Sequence, residues 1–241
     1  MKLKRVLKYL FFGGFVTGLG LLYGFSSVRN NSRKVTAVSI QFSNDEHFFI
    51  TEEIVNKLLI QSDSSLVNQP KSVVDLFKLE QQVLENPYVE KAHVFLTLSG
   101  TLTSQVKQRE PVARILSKKG DYYIDKQGVK MPFSNTYSAR VLLVLGVKND
   151  NDILEFLQLI NSILSDDFLK KEITGLEKKQ DGTYQLSVRS GDFKVDFGKI
   201  NDKQLKFKKL KAFYSKIFAD KTKENYKTIS LKYHNQVVCI K

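Results

Sequence analysis

Residues able to do chemistry are few in this chain and far apart. The three histidines, His47, His93 and His234, and the one cysteine, Cys239, fall in no HExxH, CxxC or comparable ligand spacing. His93 alternates with Lys91 onto the polar side of a strand, which reads as an exposed or half-exposed histidine. A thiol–imidazole pair of Cys239 with His234 is conceivable, but Cys239 sits in an apolar strand, where cysteine serves as a small core residue. Asp166-Asp167, and Asp121 with Asp125, are carboxylates in turns, where aspartate bonds nearby backbone. No GxSxG, SxxK or glycine-rich phosphate loop occurs. These residues predict no catalytic, cofactor-binding or metal site, and so not an enzyme. One cysteine also allows no intrachain disulfide and no thiolate metal cluster.

With catalysis set aside, charge is the next constraint. Thirty-eight Lys and Arg against 25 Asp and Glu give a formal charge of +13. In a cytosolic chain that excess suggests nucleic acid, but the lysines are scattered and the N-terminal region carries an export signal. Anionic headgroups, acidic wall material or an acidic partner protein are the better counterparts, and no nucleic-acid role is expected.

That signal is the run at residues 9–28, YLFFGGFVTGLGLLYGFSSV, which holds no charged residue. As a helix it spans roughly 30 Å, the thickness of a bilayer's hydrocarbon core. Lys2, Lys4, Arg5 and Lys8 precede it and Arg29, Arg33 and Lys34 follow, a bias that keeps the short N-terminus cytoplasmic. A cleavable signal peptide is the alternative, with Gly24-Phe25-Ser26 as a small-x-small cleavage site, although the apolar run exceeds the usual ~7–15 residues. Either way the bulk of the chain lies outside the cytoplasm.

From residue 35 the pattern reads strand, helix, helix, strand, strand. Val38, Ile40 and Phe42 alternate with polar neighbours. Thr51 is placed as an N-cap ahead of Ile54, Val55, Leu58 and Leu59 on one helix face. Ser72 with Asp75 approximates a capping box for a second helix bearing Val73, Leu76, Phe77, Val83 and Leu84, which Asn86-Pro87 stops. Ala92, Val94, Leu96 and Leu98 make a strand face, Ser99-Gly100 turns, and Leu102 and Val106 return. This order behind an anchor resembles a POTRA domain, and Asn86-Pro87-Tyr88-Val89 with Ala92-His93-Val94 is similar to that family's "NPyV..v.V" passage.

Beyond residue 108, Pro111 marks a change of direction because it cannot donate to a ladder. Residues 112–116 form a short strand, Lys118-Lys119-Gly120-Asp121 turns, Tyr122 to Asp125 return, and Lys126-Gln127-Gly128 turns again. The unbroken apolar run at 141–145 predicts a strand covered on both faces. Ile153, Phe156, Leu157, Ile160, Ile163 and Leu164 recur at helical spacing. Residues 173–178 lead to an Asp181-Gly182 turn, then Tyr184, Leu186 and Val188, a Ser190-Gly191 turn, and Phe193, Val195 and Phe197. Asn201-Asp202 is placed to cap a helix over 202–219 with Leu205, Leu210, Phe213, Tyr214 and Ile217 inward. Lys203, Lys206, Lys208, Lys209 and Lys211 then form a solvated basic face or a surface for headgroups or an acidic partner. Ile229, Leu231 and Tyr233 alternate, His234-Asn235 turns, and residues 237–240 finish a hairpin whose last strand is a candidate sheet edge for a partner's strand.

Val106-Lys107-Gln108-Arg109-Glu110-Pro111-Val112-Ala113, with Tyr123-Ile124-Asp125-Lys126-Gln127-Gly128, resembles the signature of the FtsQ/DivIB family of bacterial division proteins. Residues 231–238, LKYHNQVV, resemble that family's final hairpin, with Ser230 and Lys232 where an acid and an arginine are common. The resemblance implies an α+β chain made of a cytoplasmic tail (1–8), a transmembrane helix (9–28), a POTRA domain of βααββ order (29–108) and a C-terminal mixed β-domain with packed helices (109–241). It implies a domain-junction motif of Arg109, Glu110, Pro111, Tyr123, Asp125 and Gly128. It further implies a single-pass protein of the cell inner membrane, with its bulk in the periplasm or outside the cytoplasm, at the division septum. Such a protein is a non-enzymatic scaffold without cofactors that binds FtsB/DivIC-like and FtsL-like partners, and other divisome proteins through the POTRA domain. The partner-binding residues carried over are Lys232, Tyr233, Gln236, Val238 and Ile240. The competing expectation is a POTRA-containing export or envelope-assembly protein with a cleaved signal peptide, which should show several POTRA units or a long barrel region.

Overall fold

Helix α1 runs over Lys2–Asn31, longer at both ends than the uncharged run that identifies it. Its 21-residue stretch Leu10–Asn30 is long and apolar enough to cross a membrane, and none of it is buried against the rest of the chain. That separates it from the core helix of a water-soluble fold. The computed structural model describes residues 2–43, 49–60, 66–118, 120–134, 137–220 and 226–241; His47 and Lys119 lie outside them. The chain divides into two units, residues 1–108 and 109–241.

After α1, the first unit follows the expected order. Strand β1 (Ala37–Phe42), helices α2 (Glu52–Ile60) and α3 (Leu76–Leu84), and strands β2 (Val89–Leu96) and β3 (Thr101–Gln108) build a three-stranded sheet. Its order is β1-β3-β2, with β1 parallel and β2 antiparallel to the central β3. The Thr51 hydroxyl accepts from the Ile54 N–H at 3.4 Å and so begins α2. Val55 and Leu59 of α2 and Leu79 and Val83 of α3 are buried with Ala92, Val94, Leu102 and Val106 of the sheet.

Two local expectations need correction here. Residues Lys71–Val73 form a separate 3₁₀ turn, and α3 is capped by Asp75, whose carboxylate accepts from the Lys78 N–H at 3.0 Å. Aspartate reaches that donor from the cap position itself, so Ser72 caps nothing, and Val73 and Phe77 are left 67% and 71% exposed. Leu98 is likewise no strand-face residue: it sits in the β2–β3 turn, 89% exposed.

The second unit is one nine-stranded mixed sheet with helices. Its strands are β4 (Pro111–Ile115), β5 (Tyr122–Asp125), β6 (Lys130–Pro132), β7 (Leu142–Leu145), β8 (Ile173–Lys178), β9 (Tyr184–Val188), β10 (Lys194–Gly198), β11 (Thr228–Ser230) and β12 (Val238–Ile240). They lie in the order β12-β11-β10-β9-β8-β7-β4-β5-β6. Helix α4 (Asp150–Leu164) joins β7 to the parallel β8, and α6 (Lys203–Asp220) joins β10 to the parallel β11. Between α4 and β8 sits α5 (Asp167–Glu172), which sequence reading takes for a turn.

One face of this sheet, with Ala113, Ile115, Leu142, Val144, Leu176, Leu186, Val195 and Ile229, shares a core with Ile153, Phe156, Ile160 and Ile163 of α4 and Phe207, Leu210 and Tyr214 of α6. Phe156 is fully buried there, and Phe156→Ala is expected to cost about 3–5 kcal/mol. Helix α4 begins with a reciprocal capping box between Asn149 and Asp152. On the other sheet face Leu143 and Leu145 are 42% and 40% exposed. Thus β7 is covered on one side only, contrary to the expectation from its continuous apolar run.

Candidate functional site

The C-terminal hairpin is held by the strand and helix that precede it. Strand β11 pairs with β10 on one side and with β12 on the other, in the register Ser230↔Val238, Ile229↔Cys239 and Thr228↔Ile240. Ile229 and Leu231 are fully buried, so the hairpin's first arm is pinned to the core, and the strand ends at Ser230 before the alternation expected to reach Tyr233 is complete. The Leu231 N–H donates to the Asp196 carbonyl at 2.9 Å. The Lys232 ammonium pairs with the Asp196 carboxylate at 2.8 Å, and that carboxylate holds the ammonium above the usual lysine range.

Helix α6 supports the same loop from beneath. The Lys209 ammonium donates to the carbonyls of Leu231, at 2.8 Å, and of Tyr233. Lys206 is only 5% exposed; its ammonium donates to the Lys199 carbonyl at 2.6 Å and lies 5.0 Å from the Phe197 ring centroid. Burial lowers the pKa of both lysines. Lys211 pairs with Asp166 at 2.6 Å, and Asp166 also caps α5 by accepting from the Phe168 and Leu169 N–H groups. The lysine-rich helix is therefore no uniform solvated face: three of its lysines hold structure. Lys206 falls one turn before Leu210 on the apolar stripe, and that spacing is the signal that marks it as inward. The helix is entered differently from the expected cap. Asp202 takes a positive φ of 52°, and its carbonyl, not its side chain, accepts from the Lys206 N–H at 3.0 Å.

Of the residues carried over for partner binding, the structure brings all five into this hairpin. Tyr233 and Ile240 are 52% and 53% exposed, Lys232 and Gln236 are exposed, and Val238 is half-buried. Val238 and Ile240 point to the sheet face opposite Cys239, which packs against the core. Strand β12 is an edge strand of the nine-stranded sheet. Beside the hairpin lies a cleft of about 520 Å³ whose lining includes Lys199, Asn201, Lys206, Lys209, Lys232 and His234.

The residues of the junction motif have a different setting. Arg109 Nη1 donates to Asp125 Oδ2 at 2.6 Å, and the Asp125 side chain is 3% exposed. The other Asp125 oxygen accepts from the N–H groups of Gln127 and Val129, at 2.9 and 2.8 Å. Gly128 closes that turn with φ +84°, and a Cβ there would meet the Leu157 side chain at 2.8 Å. Pro111 lies opposite Asp125 in the β4–β5 ladder, and Glu110 pairs with Lys126 at 3.5 Å. Tyr123 is fully buried; its hydroxyl accepts from the Ala139 N–H at 3.2 Å, and its ring stacks on Phe133. One carboxylate oxygen of Asp125 thus holds the β5 turn and the other holds Arg109.

The remaining carboxylates singled out in the sequence are also structural. Asp121 pairs with Arg114 at 2.6 Å, and that bond lowers its pKa. His93 is a 72% exposed side chain 3.9 Å from Glu80. A cluster that sequence reading missed joins Lys178 of β8 to Asp152, at 2.6 Å, and to Glu155, which also accepts from the Tyr184 hydroxyl. Burial opposes the Lys178 charge, but the two carboxylates outweigh it and raise its pKa. Among the described residues no group of three or more His, Cys, Asp or Glu is placed to hold a metal ion.

Comparison with known proteins follows this division. A model of the family described as FtsQ/DivIB, C-terminal related, matches residues 110–240. A POTRA-like domain model matches residues 33–107. No curated protein matches the chain. Among the solved structures that match is the major extracytoplasmic domain of the trans isomer of the bacterial cell division protein DivIB from Geobacillus stearothermophilus. It is 14% identical over 48% of this chain and 98% of that one, with a TM-score of 0.34.

Proposed function

Since the chain belongs to the FtsQ/DivIB, C-terminal related family, we propose that it is a non-enzymatic, membrane-anchored scaffold of the bacterial division machinery. Its helix α1 is the single membrane span. The two units that follow work outside the cytoplasm, at the septum, and gather division proteins of the FtsB/DivIC and FtsL kinds.

The observation that carries this reading is the C-terminal hairpin: Val238 and Ile240 on an edge strand, with Lys232, Tyr233 and Gln236 exposed in the preceding loop that Asp196 and Lys209 tie to the fold. Pre-ordering lowers the entropy lost on binding. A partner strand laid along β12 gains main-chain bonds, and Val238 and Ile240 supply alternate side-chain contacts. Acidic side chains of the partner enter the basic cleft beside it. The POTRA-like unit is the second recognition surface, for other division proteins.

A photoreactive residue placed in turn at positions 232 to 240 in living cells tests this. Capture of small single-pass proteins with coiled-coil segments is the expected result. Capture of outer-membrane barrel or export components instead would overturn the division reading. Capture only at Lys91 and His93 would keep the scaffold and remove the hairpin from it. Val238→Pro, which deletes the N–H and disrupts the pairing with Ser230, is expected to abolish capture while the anchor stays inserted. Thermal melting of the same variant separates lost binding from lost folding.

A further inference from the structure

The end of the first unit that adjoins α1 carries two exposed apolar side chains, Leu98 and Val73, and four cations that make no ion pair among the described residues. Arg33 follows α1 by two residues, and both apolar tips are tied to the segment around it. Its Nη1 donates to the Leu98 carbonyl at 3.0 Å, and the Thr36 N–H donates to the Gly100 carbonyl at 2.8 Å, so the β2–β3 turn cannot swing away. The Arg33 carbonyl accepts from the Lys71 N–H at 2.7 Å, and Val35 and Asn68–Gln69 exchange two further backbone bonds, fixing the 3₁₀ turn Lys71–Val73. Held there, Leu98 is 89% exposed and Val73 67%. Among the described residues none of Arg29, Arg33, Lys34 or Lys71 makes an ion pair, although ten such pairs occur elsewhere.

We infer that this end of the unit is a membrane-surface site, seated in the headgroup layer of an anionic bilayer. Leu98 and Val73 insert at the acyl boundary while Arg29, Arg33, Lys34 and Lys71 pair with lipid phosphates. The inference rests on α1 crossing the bilayer. The uncharged run at residues 9–28 then fills the hydrocarbon core, since 20 residues at 1.5 Å make about 30 Å, and Arg29 stands at its edge. The helix continues to Asn31, adding about 4.5 Å, and two further residues reach at most about 7 Å, so Arg33 lies in or just beyond a headgroup layer roughly 5–8 Å deep. Leu98 and Lys71 are bonded directly to Arg33 and share its depth. Exposed aliphatic side chains amid cations fit the boundary between acyl chains and anionic headgroups.

The chain contains no tryptophan, so single-tryptophan variants report depth without background. Full-length Leu98→Trp and Val73→Trp proteins in vesicles containing phosphatidylglycerol are expected to be strongly quenched by lipids brominated high on the acyl chain. A His93→Trp reporter, on β2, gives the level for a surface away from this end, and Val16→Trp within α1 checks insertion. Lys34→Glu, or vesicles of phosphatidylcholine alone, should weaken seating, by roughly fivefold for each cation left unmatched. Quenching at 98 and 73 no greater than at 93, with Val16→Trp quenched, would overturn the inference and leave the anchor standing. Equal quenching in neutral lipid would overturn the headgroup pairing. An unquenched Val16→Trp would remove the membrane span itself, and the surface site with it.

Discussion

The junction motif and the C-terminal hairpin both resemble the family's sequence, yet their side chains are used in opposite ways. At the junction the polar groups turn inward: Asp125 is nearly inaccessible and spends both oxygens on Arg109 and two backbone N–H groups. At the hairpin the side chains turn outward, and the bonds that fix the loop come from Asp196 and Lys209, outside the motif. A shared motif therefore marks buried architecture in one place and an exposed surface in the other. Burial, not resemblance, tells them apart.

The largest test of that contrast is Asp125→Ala. It leaves Arg109 and two N–H groups without their acceptor and is expected to destabilise the second unit by about 3–5 kcal/mol, read by chemical denaturation. Gly128→Ala should follow at roughly 1–3 kcal/mol, because φ +84° and the Leu157 side chain both oppose a Cβ. Acid should act next, through the Lys178 cluster. For Asp152, burial opposes ionisation, but Lys178 and the Lys148 and Asn149 N–H groups outweigh it and lower its pKa; Lys178 and Tyr184 lower that of Glu155. Carboxylates with lowered folded-state pKa values contribute stability above their unfolded values near pH 4 and lose it as pH falls through the folded ones. Melting temperature should therefore drop below about pH 4, and less so in Lys178→Met. The smallest effect is expected from Tyr233→Ala and Gln236→Ala: stability within about 0.5 kcal/mol of the parent, with crosslinking to the partner reduced. A melting loss at Tyr233 as large as that at Asp125 would erase the distinction.

Much of this fold is legible in the sequence. Alternation and turn residues locate β8, β9 and β10 because each strand buries one face and the Asp181-Gly182 turn needs a positive φ, found at +77° for Gly182. Helical spacing locates α4 for the same reason. Short elements escape such reading: α5 has six residues and β6 three, too few for a period to show. The exposed side of β7 escapes it as well, because a run of leucine and valine has no polar partner to mark a face. The family resemblance points to the hairpin, but its supports, Lys209 and Asp196, are invisible in sequence because they lie far from it and meet it only through the fold. Ser72 and Asp75 are both plausible caps three residues apart, and the one that caps is Asp75, whose carboxylate reaches the Lys78 N–H.

The place of β3 in the middle of the first sheet bears on how that unit forms. Its partner β1 precedes it by about 64 residues, as the Gln41–Gln105 contact measures, and the pairing is parallel, so no tight turn can nucleate it. A chain made or threaded N-terminus first displays β1, α2, α3 and β2 before the strand that unites them arrives. Until then β1 and β2 have no ladder between them. Loop closure on this scale slows folding, and the waiting strands are the segments most open to proteases or to a chaperone. The unit's assembly time is thus set by the delivery of residues 101–108.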